Sequence, residues 1–239
     1  MKNAQKPFLL LIFVINFSIL FCKLNSSDRI INKPDPPILV SKSDESAVAE
    51  KGIDAVPGED AIFIEWHSAQ DEILGWKIYK KEARVGSFQF LTQFSKNDTS
   101  FIDANVEVGI RYEYYLTAVG FKNQESAPSD TAVYKLLNKA VSLGNTLSQL
   151  PVFEWHYSGV APVLYILRLL ENPANKPIWI ARVHPGYQGQ QETALYNFDG
   201  TAAMDSLQKN KTYAWRVDEI GSEASSGSES NWKVFTVPK

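Results

Sequence analysis

The 239-residue sequence predicts an all-β protein of two tandem sandwich domains, on three observations. The tripeptide Glu65-Trp66-His67 recurs as Glu154-Trp155-His156, each time at the end of a short apolar stretch. Ten residues beyond each Trp stands another aromatic, Trp76 in the first copy and Tyr165 in the second. An apolar residue six positions before a Tyr also occurs twice, as Val106–Tyr112 and Leu207–Tyr213. Around these landmarks the apolar residues alternate with a period of two, the pattern of half-buried strands.

Composition agrees with that class. Aromatics make up 12% of the chain, which favours strands, and two domains of this size can each bury a core. The net charge of −3, with the acidic excess in residues 35–137, offers no clustered Lys and Arg for phosphates, so nucleic acid is excluded as a partner. The single cysteine forbids an intrachain disulfide, leaving stability to the cores.

Residues 1–22 read as an export signal. Lys2 and Lys6 precede an apolar run from Phe8 to Cys22 that is short of the roughly 20 residues a spanning helix needs. Cys22 closes the run, and polar residues 23–34 follow as a flexible tether. The arrangement resembles a bacterial lipoprotein signal, which implies lipid attachment at Cys22 and a mature protein held at a membrane by acyl chains. Phe21 departs from the small residue of that pattern.

The first domain is expected over 35–137. Pro36-Pro37 gives an extended entry, and 43–60 form a long first loop with Gly52, Pro57 and Gly58. Strands are expected at Ile62–His67, Gly75–Lys80, Phe88–Phe94, Thr99–Asp103, Tyr112–Val119 and Thr131–Leu136. The opening Pro-Pro, Trp66, Trp76 and the Val106–Tyr112 pair resemble a fibronectin type III domain, which implies an immunoglobulin-like sandwich with a tyrosine corner. About ten extra residues lie in the first loop.

A divergent second copy is expected over 138–239. Phe153 and Trp155 repeat Ile64 and Trp66, Tyr165 to Leu169 and Ile178 to Val183 form strands, and Tyr213–Val217 and Trp232–Val237 close the domain. It lacks the Pro-Pro opening and carries about 12 extra residues between its third and sixth strands.

No nucleophile elbow, phosphate loop or metal-spaced Cys/His set occurs, so no catalytic residue, metal ligand or cofactor is assigned. His67 and His156, each two residues from a Glu, read as solvated strand faces, and His184 before Pro185-Gly186 as a turn. Asp54, Glu59 and Asp60 lack the alternation of a calcium loop, and Asn97 and Asn210 head glycan-acceptor triplets. In the second-domain insertion, Trp179, Tyr187 and Tyr196 among glycines are the candidate ligand-contact aromatics, set against a reading in which Trp179 is core. The sequence therefore points to a non-enzymatic, exported envelope or surface protein, lipid-anchored or else secreted. Its modules would act as spacer and protein-binding unit, with a protein or polysaccharide of the envelope as partner. The alternatives are a carbohydrate-binding module through the second-domain aromatics, or an accessory part of an extracellular enzyme system.

Overall fold

The computed structural model describes residues 33–186 and 189–239. The leader, Cys22, nearly all of the tether and Tyr187 lie outside the described residues.

The first sandwich comprises β1 (Ile38–Leu39), β2 (Asp54–Ala55), β3 (Ile62–His67), β4 (Gly75–Glu82), β5 (Gln89–Ser95), β6 (Ser100–Asp103), β7 (Arg111–Val119) and β8 (Ala132–Leu136). In one sheet β3 is central: β1 and β2 pair along one side of it and β6 along the other, all antiparallel. The facing sheet runs β5-β4-β7-β8. Alternation in β3 sends Ile62, Ile64 and Trp66 inward, where Trp66 meets Trp76 edge-on at 6.4 Å between ring centroids. Pro34, assigned to the tether by its polar surroundings, is buried beside Gly120 and belongs to this sandwich.

The second sandwich comprises β9 (Val141–Asn145), β10 (Val152–His156), β11 (Leu164–Glu171), β12 (Lys176–Val183), β13 (Gln191–Leu195), β14 (Thr212–Ile220), β15 (Ser226–Glu229) and β16 (Lys233–Thr236). One sheet is β13-β10-β9; the other places β14 between β11 and the successive strands β15 and β16, with β12 beyond β11. Trp155, Tyr165, Trp179 and Trp215 fill its core with Phe153. β9 opens this sandwich without the proline pair that precedes β1.

Both tyrosine corners form. The Tyr112 hydroxyl accepts the backbone N–H of Glu107 at 3.1 Å, and the Tyr213 hydroxyl accepts that of Gln208 at 3.0 Å. Each satisfies a loop donor at the rim of a core, where an unpaired N–H would be costly.

The two sandwiches are joined by backbone. β15 pairs in parallel with β8, Ser226 opposite Lys135 and Gly227 opposite Leu136, so the inner sheets merge into one nine-stranded sheet. Three further amides cross, each at 3.0 Å: Lys135 N–H to the Ser225 carbonyl, Leu137 N–H to the Gly227 carbonyl and Gly58 N–H to the Glu229 carbonyl. Gly58 has φ +75°, and a Cβ there would run into the Asn231 side chain, so the contact requires glycine.

Candidate functional site

Of the sequence-assigned aromatics, the two among the described residues, Trp179 and Tyr196, are buried. Trp179 is 1% exposed and Tyr196 3%. Trp179 packs edge-on against Tyr196 and Phe198, and its Nε1–H donates to Asp199 at 2.9 Å, while the Tyr196 hydroxyl donates to the Met204 carbonyl at 2.7 Å. The insertion closes one end of the core, and these rings are its lining. Phe198 alone of them is half exposed.

Glu65 of the first histidine–glutamate pair and two of the first-loop acids are engaged otherwise. The Glu65 carboxylate accepts the Gly52 N–H at 3.0 Å and holds the first loop to β3. Asp54 takes the Lys42 ammonium at 2.5 Å and the Tyr134 hydroxyl at 2.8 Å, whereas Asp60 pairs with Lys139 of the second sandwich. Asp54 and Asp60 thus serve different ion pairs, and no calcium loop assembles from them.

Two features that the sequence did not single out stand out instead. The first is an aromatic cluster on the outer face of β4, β5 and β7. Alternation there sends Tyr79 and Tyr115 away from the core, and they stack at 4.7 Å with 17° between planes. Phe90 packs edge-on against Tyr79 and Phe88 against Tyr115, and Phe90 remains 54% exposed. Charges of both signs border the rings. Lys81 lies 4.7 Å over Phe88 and pairs with Glu113, and Glu125 accepts from Lys77, from Tyr79 at 2.8 Å and from Thr117 at 3.0 Å. Hydrogen bonds led by that from Lys77 hold Glu125 below its ordinary pKa, and burial with the Glu125 bond lifts Tyr79 to about 12.

The second is a buried ion cluster at the junction. The extra residues of the first loop fold into a strap over 43–51, closed by the Ser43 N–H to Lys51 carbonyl bond, that lies on the outer face of β11 and β14. Arg168 donates to the Glu45 and Ala47 carbonyls at 2.6 Å each and to Asp218 at 2.6 Å. Arg216, 2% exposed, is surrounded by carboxylates: Glu50 at 2.6 Å, Glu229 at 2.7 Å and Asp218 at 2.8 Å. Trp232 stacks on its guanidinium at 5.0 Å. Glu50, Asp218 and Glu229 are the one group of acids among the described residues close enough to share a metal. Their oxygens converge on the Arg216 guanidinium, which already fills the position a cation would take. Burial, with Asp218 close by, outweighs Arg216 and pushes Glu229 up to about 9; burial likewise raises Glu50. On the other face of β14, Glu219 is fully buried, neither of its oxygens has a partner among the described residues, and burial alone lifts it to about 8. The signal for the junction was present in the sequence as charges inside apolar strands, Arg168 within Leu164–Leu170 and Arg216 beside Trp215.

The fold and its two corners define a tandem of fibronectin type III-like β-sandwiches. No family model matches the chain, and no curated protein matches it. Among solved structures, the FN1–FN3 domains of chicken CNTN1 are 15% identical with a TM-score of 0.35, over 86% of this chain and 69% of that one. A two-domain fibronectin type III segment of chicken tenascin is 12% identical with a TM-score of 0.33, over 87% of this chain and 100% of that one. A β-1,2-glucanase from Parabacteroides distasonis is 21% identical with a TM-score of 0.34, over 45% of this chain and 13% of that one. Likeness at this level says nothing of activity or partner.

Proposed function

We propose that the chain is a non-enzymatic envelope or surface protein, exported and held by a lipid at Cys22, in which the tandem sandwiches act as a stiff spacer carrying a protein-binding face. The observation that supports the binding part is the outward cluster of Phe88, Phe90, Tyr79 and Tyr115 with its ring of paired charges. Aromatic centres enclosed by a polar rim are the composition of protein-binding hot spots. Sugar binding through the second-domain insertion loses two of its three candidate rings, since Trp179 and Tyr196 are core residues and Tyr187 lies outside the described residues.

A photo-crosslinking side chain placed at Phe90 in the producing cell tests the reading. The expected result is one discrete protein adduct, absent with the same group at exposed Thr193 and lost when Tyr115 is changed to Ala. An adduct pattern equal at both positions, or none at Phe90, refutes the binding face. Labelled palmitate incorporated by the parent and not by Cys22→Ala supports the anchor, and no incorporation by the parent removes it.

A further inference from the structure

We infer that the strap over residues 43–51 is a proton-coupled latch, whose seating on the second sandwich takes up about one proton at the junction. The strap is the extra length of the first loop: besides its own closing bonds and the Glu45–Lys42 ion pair, its residues make polar contacts to Arg168, Arg182 and Arg216 of the other domain. The charges it closes over do not balance. Facing Glu229 of β15 are Glu45 and Glu50 from the strap, Asp54 from β2, Tyr134 from β8, and Arg168, Arg216 and Asp218 from β11 and β14, with Lys42 at the root of the strap. Five carboxylates thus share three cationic groups, and Glu229, Asp218, Arg168 and Arg216 are all nearly inaccessible to solvent. Glu45 and Glu50 keep partial contact with water, but the paired carboxylates Asp218 and Glu229 do not, and the cheapest relief for that buried pair is to hold a proton.

The pKa directions agree. With the strap seated, burial, helped by Asp218, pushes Glu229 up to about 9; lifting the strap withdraws Glu50 and opens this face to water, which moves the carboxylate back toward its ordinary value. Seating therefore takes up a proton at any pH between those values. Its contribution is complete below the ordinary value and is lost as pH rises through about 9. Within that window the seated-to-lifted ratio falls about tenfold for each unit of pH. A protein of this build is stiffer in acid surroundings and looser in alkaline ones.

The guanidinium N–H groups that hold the strap report its lifting directly. In the full chain, hydrogen exchange of the Arg168 and Arg216 side-chain N–H groups, corrected for intrinsic rate, is followed by NMR at pH 6, 7 and 8. The expected result is that their protection falls about tenfold per unit, while amides in β4 and β7 change less. Glu229→Gln, which keeps an acceptor for Arg216 and cannot ionise, should abolish the slope; Glu219→Gln, which removes the carboxyl on the other face of β14, should keep it. Protection of the Arg168 and Arg216 guanidinium groups independent of pH in the parent overturns the latch, and so does a slope that survives Glu229→Gln. Should that variant fail to fold, the slope in the parent and its persistence in Glu219→Gln still decide.

Discussion

Replacing Glu219 by Gln should stabilise the protein, and the gain should grow with pH. Glu219 points into the second core with 0% exposure, and both carboxylate oxygens lack a partner among the described residues. Burial raises its pKa from 4.5 to about 8, so the folded protein must hold a proton that the unfolded chain releases. That difference costs the parent about 1.4 kcal/mol for each unit of pH above 4.5. At pH 7.5 the sum is about 4 kcal/mol, a large part of a typical 5–15 kcal/mol. Gln buries a polar group of the same shape and carries none of this cost. Urea denaturation of both proteins at pH 4.5, 6, 7.5 and 9 checks it. The variant's advantage should rise through the first three values and level off above about 8, where the folded carboxyl ionises too. A difference that does not change with pH would show that Glu219 has a partner, and the reasoning would fail.

Tyr112→Phe and Tyr213→Phe each remove the acceptor for one corner amide and should cost about 1–2 kcal/mol. Their effects should add in the double variant, since the corners lie in different cores; chemical denaturation measures both. Trp66→Ala and Trp155→Ala should each cost about 3–5 kcal/mol by the same assay, because each leaves a cavity in a separate aromatic core. Gly58→Ala forces a methyl toward Asn231 at a positive φ, so it should loosen the junction amides while leaving the chemical shifts of β3 and β7 unchanged. Phe90→Ala should alter stability by less than about 0.5 kcal/mol, since the ring is already half in water.

Strands whose apolar residues alternate could be read from the sequence almost residue by residue, β3 and β7 above all, because one face of each meets a core. Those that escaped notice are polar or short. β13 is Gln-Glu-Thr-Ala-Leu, and β15 is Ser-Gly-Ser-Glu, wholly buried despite having no apolar side chain. β15 is covered because β8 of the other domain pairs with it, a long-range fact that no local period records. The same limit hid the junction cluster. Arg168, Arg216 and Asp218 sit on an outward face that alternation assigns to solvent, and only the strap folded over them makes them interior. Trp179 carried two readings, a core residue on its strand and a ligand-contact aromatic among glycines, and the enclosure of both faces of β12 at Ile178 and Trp179 decides for the core.

Residual dipolar couplings on the full chain at pH 6 address the merged sheet most directly, since a weak aligning medium reports the orientation of every amide in solution. If β8 and β15 are truly paired, one alignment tensor will fit the couplings of both sandwiches together. Two tensors of different magnitude, one for each sandwich, would mean that the halves swing independently, and the welded architecture would have to be abandoned.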